Sequence, residues 1–128
     1  MATAQILIVE DERIIALELA RRLRQLGYTV ASPVSSGTEA IHEAQALHPD
    51  LVLMDIGLKG TMTGVEAGEA IRAELQIPVV YVTAYAPENL LPSDQTTEPR
   101  LYIRKPFNEQ QLRATLERAL AGSPYGDT

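Results

Sequence analysis

Four apolar runs in this chain end in residues able to do chemistry: "ILIVED" in Glu10 and Asp11, "LVLMD" in Asp55, "VYVT" in Thr83 and "LYIRK" in Lys105. Three carboxylates, a hydroxyl and an ammonium form a set that can hold an oxygen-seeking cation and a phosphoryl group. Carboxylates about 4 Å apart repel by several kcal/mol at an effective dielectric near 20, so gathering them calls for a compensating cation. Magnesium suits the inventory, with manganese as the alternative, because it takes oxygen ligands and keeps waters that a phosphate can replace. Lys105 supplies a compact positive charge for a phosphoryl oxygen, and the Thr83 hydroxyl can donate one further hydrogen bond.

These residues work together only if the fold brings the run ends to one rim. "AQILIVE" is a short β-branched apolar run of the kind found in parallel sheets covered on both faces. A helix is predicted over Glu12–Leu26, with Ile15, Leu19, Leu23 and Leu26 as its apolar positions and Gly27 as its stop. Further strands are predicted over Tyr28–Ser35, Asp50–Ile56, Ile77–Ala84 and Arg100–Lys105. Helices are expected over Gly37–Leu47, after the loop bearing Gly57, Gly60 and Gly64, and from Asn108, where Asn108 and Gln111 form a capping box, to Ala121. Alternation of this kind implies right-handed crossovers and a parallel sheet with helices on both faces, an α/β doubly wound, flavodoxin-like fold. Pro33 cannot donate within a sheet and sends the second strand to an edge, as in the order 2-1-3-4-5. Pro87, Pro92 and Pro99 imply a short or irregular fourth helix between the last two strands. In such sheets ligands bind beyond the carboxyl ends of the strands, where strand order reverses, which here lies between strands one and three.

Composition narrows the function classes. A chain of 128 residues fits one domain. The absence of cysteine removes disulfide and thiol chemistry and Cys/His zinc sites, and His42 and His48 are expected to face solvent. A net charge of −6 without a basic stripe disfavours direct binding to nucleic acid or anionic lipid. No apolar run is long enough for a membrane span or set up as a secretory signal, so a cytoplasmic protein is expected.

The ordered motifs "ED" after strand one, the Asp in "LVLMDI", the Thr-Ala of "VYVTAY" and the "KPF" after strand five resemble the receiver domain of two-component response regulators, the CheY-like fold. The resemblance covers about Gln5 to Ala121, within a receiver domain placed at 4–121 and followed by a short tail over 122–128. It implies a phosphoacceptor signalling domain rather than an enzyme, with Asp55 taking a phosphoryl group from a sensor histidine kinase, a phosphotransfer protein or a small phosphodonor. It further implies that Asp11, Asp55 and the Gly57 carbonyl bind magnesium, with Glu10 acting through water. Lys105, Thr83 and Ala84 would contact the phosphoryl group, Thr83 and Tyr102 would act as switch residues, and the Lys105–Pro106 bond would be cis, which proline permits. A downstream protein would read the switched surface, and a homodimer is left open.

The chain departs from the commonest family pattern in Glu10, where Asp is more usual, and in "GLKGTMTG", one residue longer and similar to a DIxLKG-type subgroup. Gly57 offers no side chain beside the phosphoryl site, and the proline-rich region alters a surface that many receivers use. Simpler readings exist for single residues: Asp11 suits a helix N-cap, Asp55 a turn, Thr83 a strand, Tyr102 ordinary packing, and Gly60 and Gly64 turns. Glu12 is expected in the first turn of its helix, complementing the helix dipole. None of these explains three carboxylates and a lysine on one rim. Two rival functions remain: a non-phosphorylated interaction module of the same fold, and a flavin or nucleotide binder. The second is poorly served by one Phe and no Trp.

Overall fold

The computed structural model describes residues 3–58, 60–84 and 101–121. The elements run β1 (Gln5–Val9), α1 (Arg13–Gln25), β2 (Thr29–Val30), α2 (Gly37–Leu47), β3 (Leu51–Asp55), α3 (Gly64–Leu75), β4 (Val79–Thr83), β5 (Leu101–Arg104) and α4 (Glu109–Ala121). All five strands are parallel, in the expected order β2-β1-β3-β4-β5, with β2 at the edge to which Pro33 sent it. The expected fourth helix and the tail after Ala121 lie outside the described residues.

Every residue of β3 and β4 is buried, because successive side chains go to opposite faces and both faces are covered. Ile6, Ile8, Leu53, Val80 and Val82 pack with Leu19 and Leu23 of α1 and Leu112 and Leu116 of α4. Leu7, Val9, Val52, Met54, Val79 and Tyr81 pack with Ala40 and Ala44 of α2 and Ala67 and Ile71 of α3. Each fully buried Val, Leu or Ile contributes about 1.5–3 kcal/mol, so the two cores hold the strand ends in fixed register.

α2, α3 and α4 begin where side chains satisfy their first N–H groups. Ser36 accepts from the Glu39 N–H, and Thr63 and Glu66 form a reciprocal capping box. The box expected at the last helix is present, with the Gln111 N–H donating to Asn108 Oδ1 at 2.7 Å and the Asn108 N–H to Gln111 Oε1 at 2.9 Å.

Several expectations need correction. β2 is only Thr29–Val30, and Val34 meets β1 through a single bridge to Val9, because an edge segment interrupted by Pro33 cannot continue the ladder. The buried face of α1 is Ala16, Leu19, Ala20 and Leu23, whereas Ile15 is 41% exposed. The helix approaches the sheet through small alanines, which turns the bulkier Ile15 to its edge. Glu12 is the N-cap of α1, not a first-turn residue, and its side chain makes no capping hydrogen bond. Gly64 is the first residue of α3, not a turn residue.

Candidate functional site

The ends of β1 and β3 are neighbours, with Val9 opposite Met54, so Glu10 and Asp11 emerge beside Asp55. One carboxylate oxygen from each of Glu10, Asp11 and Asp55 lies within 4.8 Å of the other two. Glu10 and Asp55 are buried, at 6% and 8% exposure, and Asp11 is half-buried.

β5 delivers the compensating charge. The Lys105 N–H donates to the Thr83 carbonyl at 2.7 Å, locking the end of β5 to that of β4, and the Lys105–Pro106 bond is cis. Lys105 Nζ then stands 3.9 Å from Glu10 Oε1 and 4.0 Å from Asp55 Oδ2. Three carboxylates against one ammonium leave a formal charge of −2 when all are ionised, the amount a divalent cation cancels.

Glu10 registers the unbalanced charge. Burial pushes its carboxyl from 4.5 up to about 7, the Asp55 charge adds to the rise, and the Glu12 N–H and Lys105 act against it. The Glu12 N–H donates to Glu10 Oε2 at 3.1 Å, which fixes the side chain inside the rim.

The two oxygens of Asp55 have different surroundings. Oδ1 accepts from the Gly57 N–H at 2.9 Å, while Oδ2 faces Lys105. This ties the first residues of the β3–α3 loop to the carboxylate and leaves one oxygen toward the lysine.

The donor set fits magnesium. Opposite ligands in its octahedron stand about 4.2 Å apart at bond lengths near 2.1 Å, close to the 4.8 Å within which the three carboxylate oxygens lie.

The structure also places the remaining sequence candidates. Thr83 is buried at the end of β4, one residue beyond the Val82 that pairs with Asp55. Ala84 follows it, exposed, in a groove of about 630 Å³ shared with Lys105, Pro106, Phe107 and the α1 residues Ile14 and Ile15. Tyr102 sits deeper, opposite Tyr81 in the sheet, with ring centres 6.0 Å apart, so it lies beside the core formed with α2 and α3 and not on the rim. His42 and His48 are exposed.

Two features escaped the sequence reading. Gly64 packs on the backbone of Asp55 so closely that a Cβ there would overlap the Asp55 carbonyl oxygen. Tyr81, fully buried, donates its hydroxyl to Glu69 Oε2 at 2.5 Å, and Glu69 pairs with the buried Arg72 at 3.2 Å. A tyrosine and an i,i+3 charge pair on separate elements carry no signal in sequence that they will meet; only Gly68, whose Cβ would strike the Tyr81 ring, hints at a close approach.

Residues 6–117 match the family model described as the response regulator receiver domain. The chain belongs to that family. Its members are phosphoryl-accepting signalling domains of two-component systems, generally non-enzymatic, that interact with histidine kinases or phosphotransfer proteins. This receiver is 36% identical over 121 residues to the phyllosphere-induced regulator PhyR of Methylorubrum extorquens, covering 94% of this chain and 44% of that protein. It is 32% identical over 117 residues to the transcriptional regulatory protein PdtaR of Mycobacterium tuberculosis, covering 91% and 57%. The chain thus spans about half the length of these relatives. Among solved structures, the solution NMR structure of the PhyR receiver from Erythrobacter litoralis is 36% identical with a TM-score of 0.85, covering 100% of this chain and 97% of that one. The receiver domain of a modulated diguanylate cyclase from Desulfovibrio desulfuricans is 30% identical with a TM-score of 0.87, covering 98% and 100%. Among the described residues, no helix is long and apolar enough to cross a membrane.

Proposed function

We propose that Asp55 is the phosphoacceptor of this receiver. The reading is carried by one observation: Asp55 is buried at a strand end with two further carboxylates within 4.8 Å and a lysine at 4.0 Å. In the transfer, an Asp55 carboxylate oxygen forms a bond to phosphorus as the nitrogen–phosphorus bond of a phosphohistidine donor breaks, and the imidazole leaves with the bonding pair and takes up a proton. Such transfers depend mainly on in-line positioning and on neutralising the oxygens of the moving group.

The residues divide that work. The Gly57 N–H holds Oδ1, which orients the carboxylate and leaves Oδ2 toward incoming phosphorus. Lys105 meets a phosphoryl oxygen with its ammonium, and Thr83, together with the backbone at Ala84, supplies hydrogen bonds to another. Asp11, Asp55 and the Gly57 carbonyl are the residues that would hold magnesium, with Glu10 behind a water; that ion supplies Lewis-acid neutralisation of the transferring group. Thr83 and Tyr102 then bias the two-state surface that a downstream protein reads.

A sensor histidine kinase or phosphotransfer protein is the expected donor, in a cytoplasmic setting, with the receiver spanning 4–121. The acidic charge of the chain, −6, favours an output through protein contacts over direct binding to nucleic acid. Intact mass after incubation with acetyl phosphate and magnesium tests the assignment. The native chain should gain one phosphoryl group and Asp55→Asn none. A native chain that stays unmodified with this donor and with a phosphorylated kinase domain would sink the reading.

A further inference from the structure

The β3–α3 loop must present a backbone carbonyl at Gly57 from a stretch that also contains Gly60, at φ +113°, and exposed residues at Gly60 and Thr61. Glycines give such a loop many alternative conformations, and any ordering left undone before ligand binding weakens the binding. The loop is held at four points. The Gly57 N–H is bound to Asp55, Leu58 is buried in the core formed with α2 and α3, Thr63 caps α3, and Met62 packs against that core from the other side of the exposed tip.

Met62 has a dedicated seat. Gly37, the buried first residue of α2, leaves a space in which a Cβ would stand 3.0 Å from Met62 Cγ, 3.2 Å from Met62 Sδ and 3.1 Å from Ala67 Cβ. α2 therefore opens with a residue lacking a side chain at the point where the loop's methionine lies. A flexible, unbranched thioether is suited to filling such an irregular gap.

We propose that Met62, seated on Gly37, is a positioning residue that pre-orders the β3–α3 loop so that the Gly57 backbone is ready for the divalent cation; this rests on the metal and phosphoacceptor reading above. Neither residue touches the reacting atoms. Their effect is on how much of the loop's ordering is complete before the cation arrives.

The test measures the initial rate of Asp55 phosphorylation by acetyl phosphate across a magnesium titration, alongside the magnesium-induced shift in melting temperature without any phosphodonor. Met62→Ala should raise the half-saturating magnesium concentration by about three- to tenfold, while the rate at saturating magnesium stays within about twofold of native. Met62→Leu should restore most of the affinity. Gly37→Val, which fills the seat, should shift the titration in the same direction, and the double variant should shift it by less than the product of the single effects. An unchanged magnesium dependence in Met62→Ala, with a native chain that is phosphorylated normally, overturns the role of Met62 alone. A native chain showing neither phosphorylation nor a magnesium-dependent melting shift overturns the proposal together with the reading beneath it. Equal losses in Met62→Ala and Met62→Leu also overturn it.

Discussion

Gly64, the first residue of α3, rests directly on the backbone of Asp55: a Cβ built on it would overlap the Asp55 carbonyl oxygen and stand 3.0 Å from both the Asp55 carbonyl carbon and the Ile56 Cα. Backbone cannot swing aside as a flexible side chain can. Gly64→Ala must therefore move either α3 or Asp55, the proposed phosphoacceptor. Overpacking of this kind costs about 1–3 kcal/mol, read in urea denaturation. Phosphorylation by acetyl phosphate should fall at least about tenfold, because a shift of about 1 Å at a reacting group is worth up to about two orders of magnitude in rate. A variant with lowered stability and native phosphorylation kinetics would show that α3, not Asp55, gives way.

Glu10 links the rim to pH. A carboxyl raised from 4.5 to about 7 binds its proton more tightly folded than unfolded. Its contribution to stability is fully present below about 4.5 and is lost as pH rises through about 7. Glu10→Gln, which is neutral at every pH, should therefore stabilise the chain in EDTA at pH 8 by about 1–3 kcal/mol. That gain should vanish near pH 4. Denaturant midpoints taken at both pH values decide it, and a gain independent of pH would mean that folding does not raise the Glu10 carboxyl. In excess magnesium the native chain should gain more stability than the variant, which lacks one anionic partner for the ion.

Lys105 reaches both Glu10 and Asp55 at about equal distance, 3.9 and 4.0 Å, so its removal takes the positive charge from the whole rim. Lys105→Ala should slow phosphorylation by about tenfold or more, consistent with the loss of one charge-stabilising donor in phosphoryl chemistry. It should also push the Glu10 carboxyl further upward, since Lys105 is one of the groups holding it down. Lys105→Arg should recover only part of the rate, because a planar fork is not a substitute for a compact ammonium. Rates from intact mass, with carboxyl titration followed by NMR, separate the two effects.

The Tyr81 hydroxyl, on a fully buried residue, is bonded to the half-buried Glu69 carboxylate, so Tyr81→Phe should cost about 1–3 kcal/mol despite its similar shape. Gly68→Ala should cost at least as much, because its Cβ would meet the Tyr81 ring within 3 Å. Both are read from denaturation midpoints. Tyr81→Phe should leave the rate of Asp55 phosphorylation within about twofold of native, as its hydroxyl donates to Glu69 of α3 and not to Asp55; a large loss of rate would place this network in the site.

Much of the architecture was legible because parallel strands buried on both faces must be apolar throughout, and "ILIV", "LVLM" and "VVYV" can hardly be read otherwise. Pro33 marked the edge strand for a local reason, its missing N–H, and Asn108 with Gln111 marked the last helix because a capping box is itself local. The face of α1 was less legible. Alanines carry little weight in a hydrophobic pattern, so Ile15 was favoured over Ala16 and Ala20, although the close approach of helix to sheet selects the small residues. Gly64 and the Tyr81–Glu69 bond were hidden because each is a contact between elements that no spacing along the chain encodes.

The sequence by itself determined which polar groups stand at the ends of which strands, since continuous apolar runs and crossover topology follow from local composition. Only the tertiary structure decided how those groups differ. Glu10 and Asp55 are some 45 residues apart in sequence. Their burial side by side, the rise of the Glu10 carboxyl, and the division of Asp55 into one oxygen held by Gly57 and one facing Lys105 are set by distances across the sheet. Electrostatic and desolvation energies depend on those distances and on exclusion of water, quantities that exist only once the strands have paired and the helices have covered them.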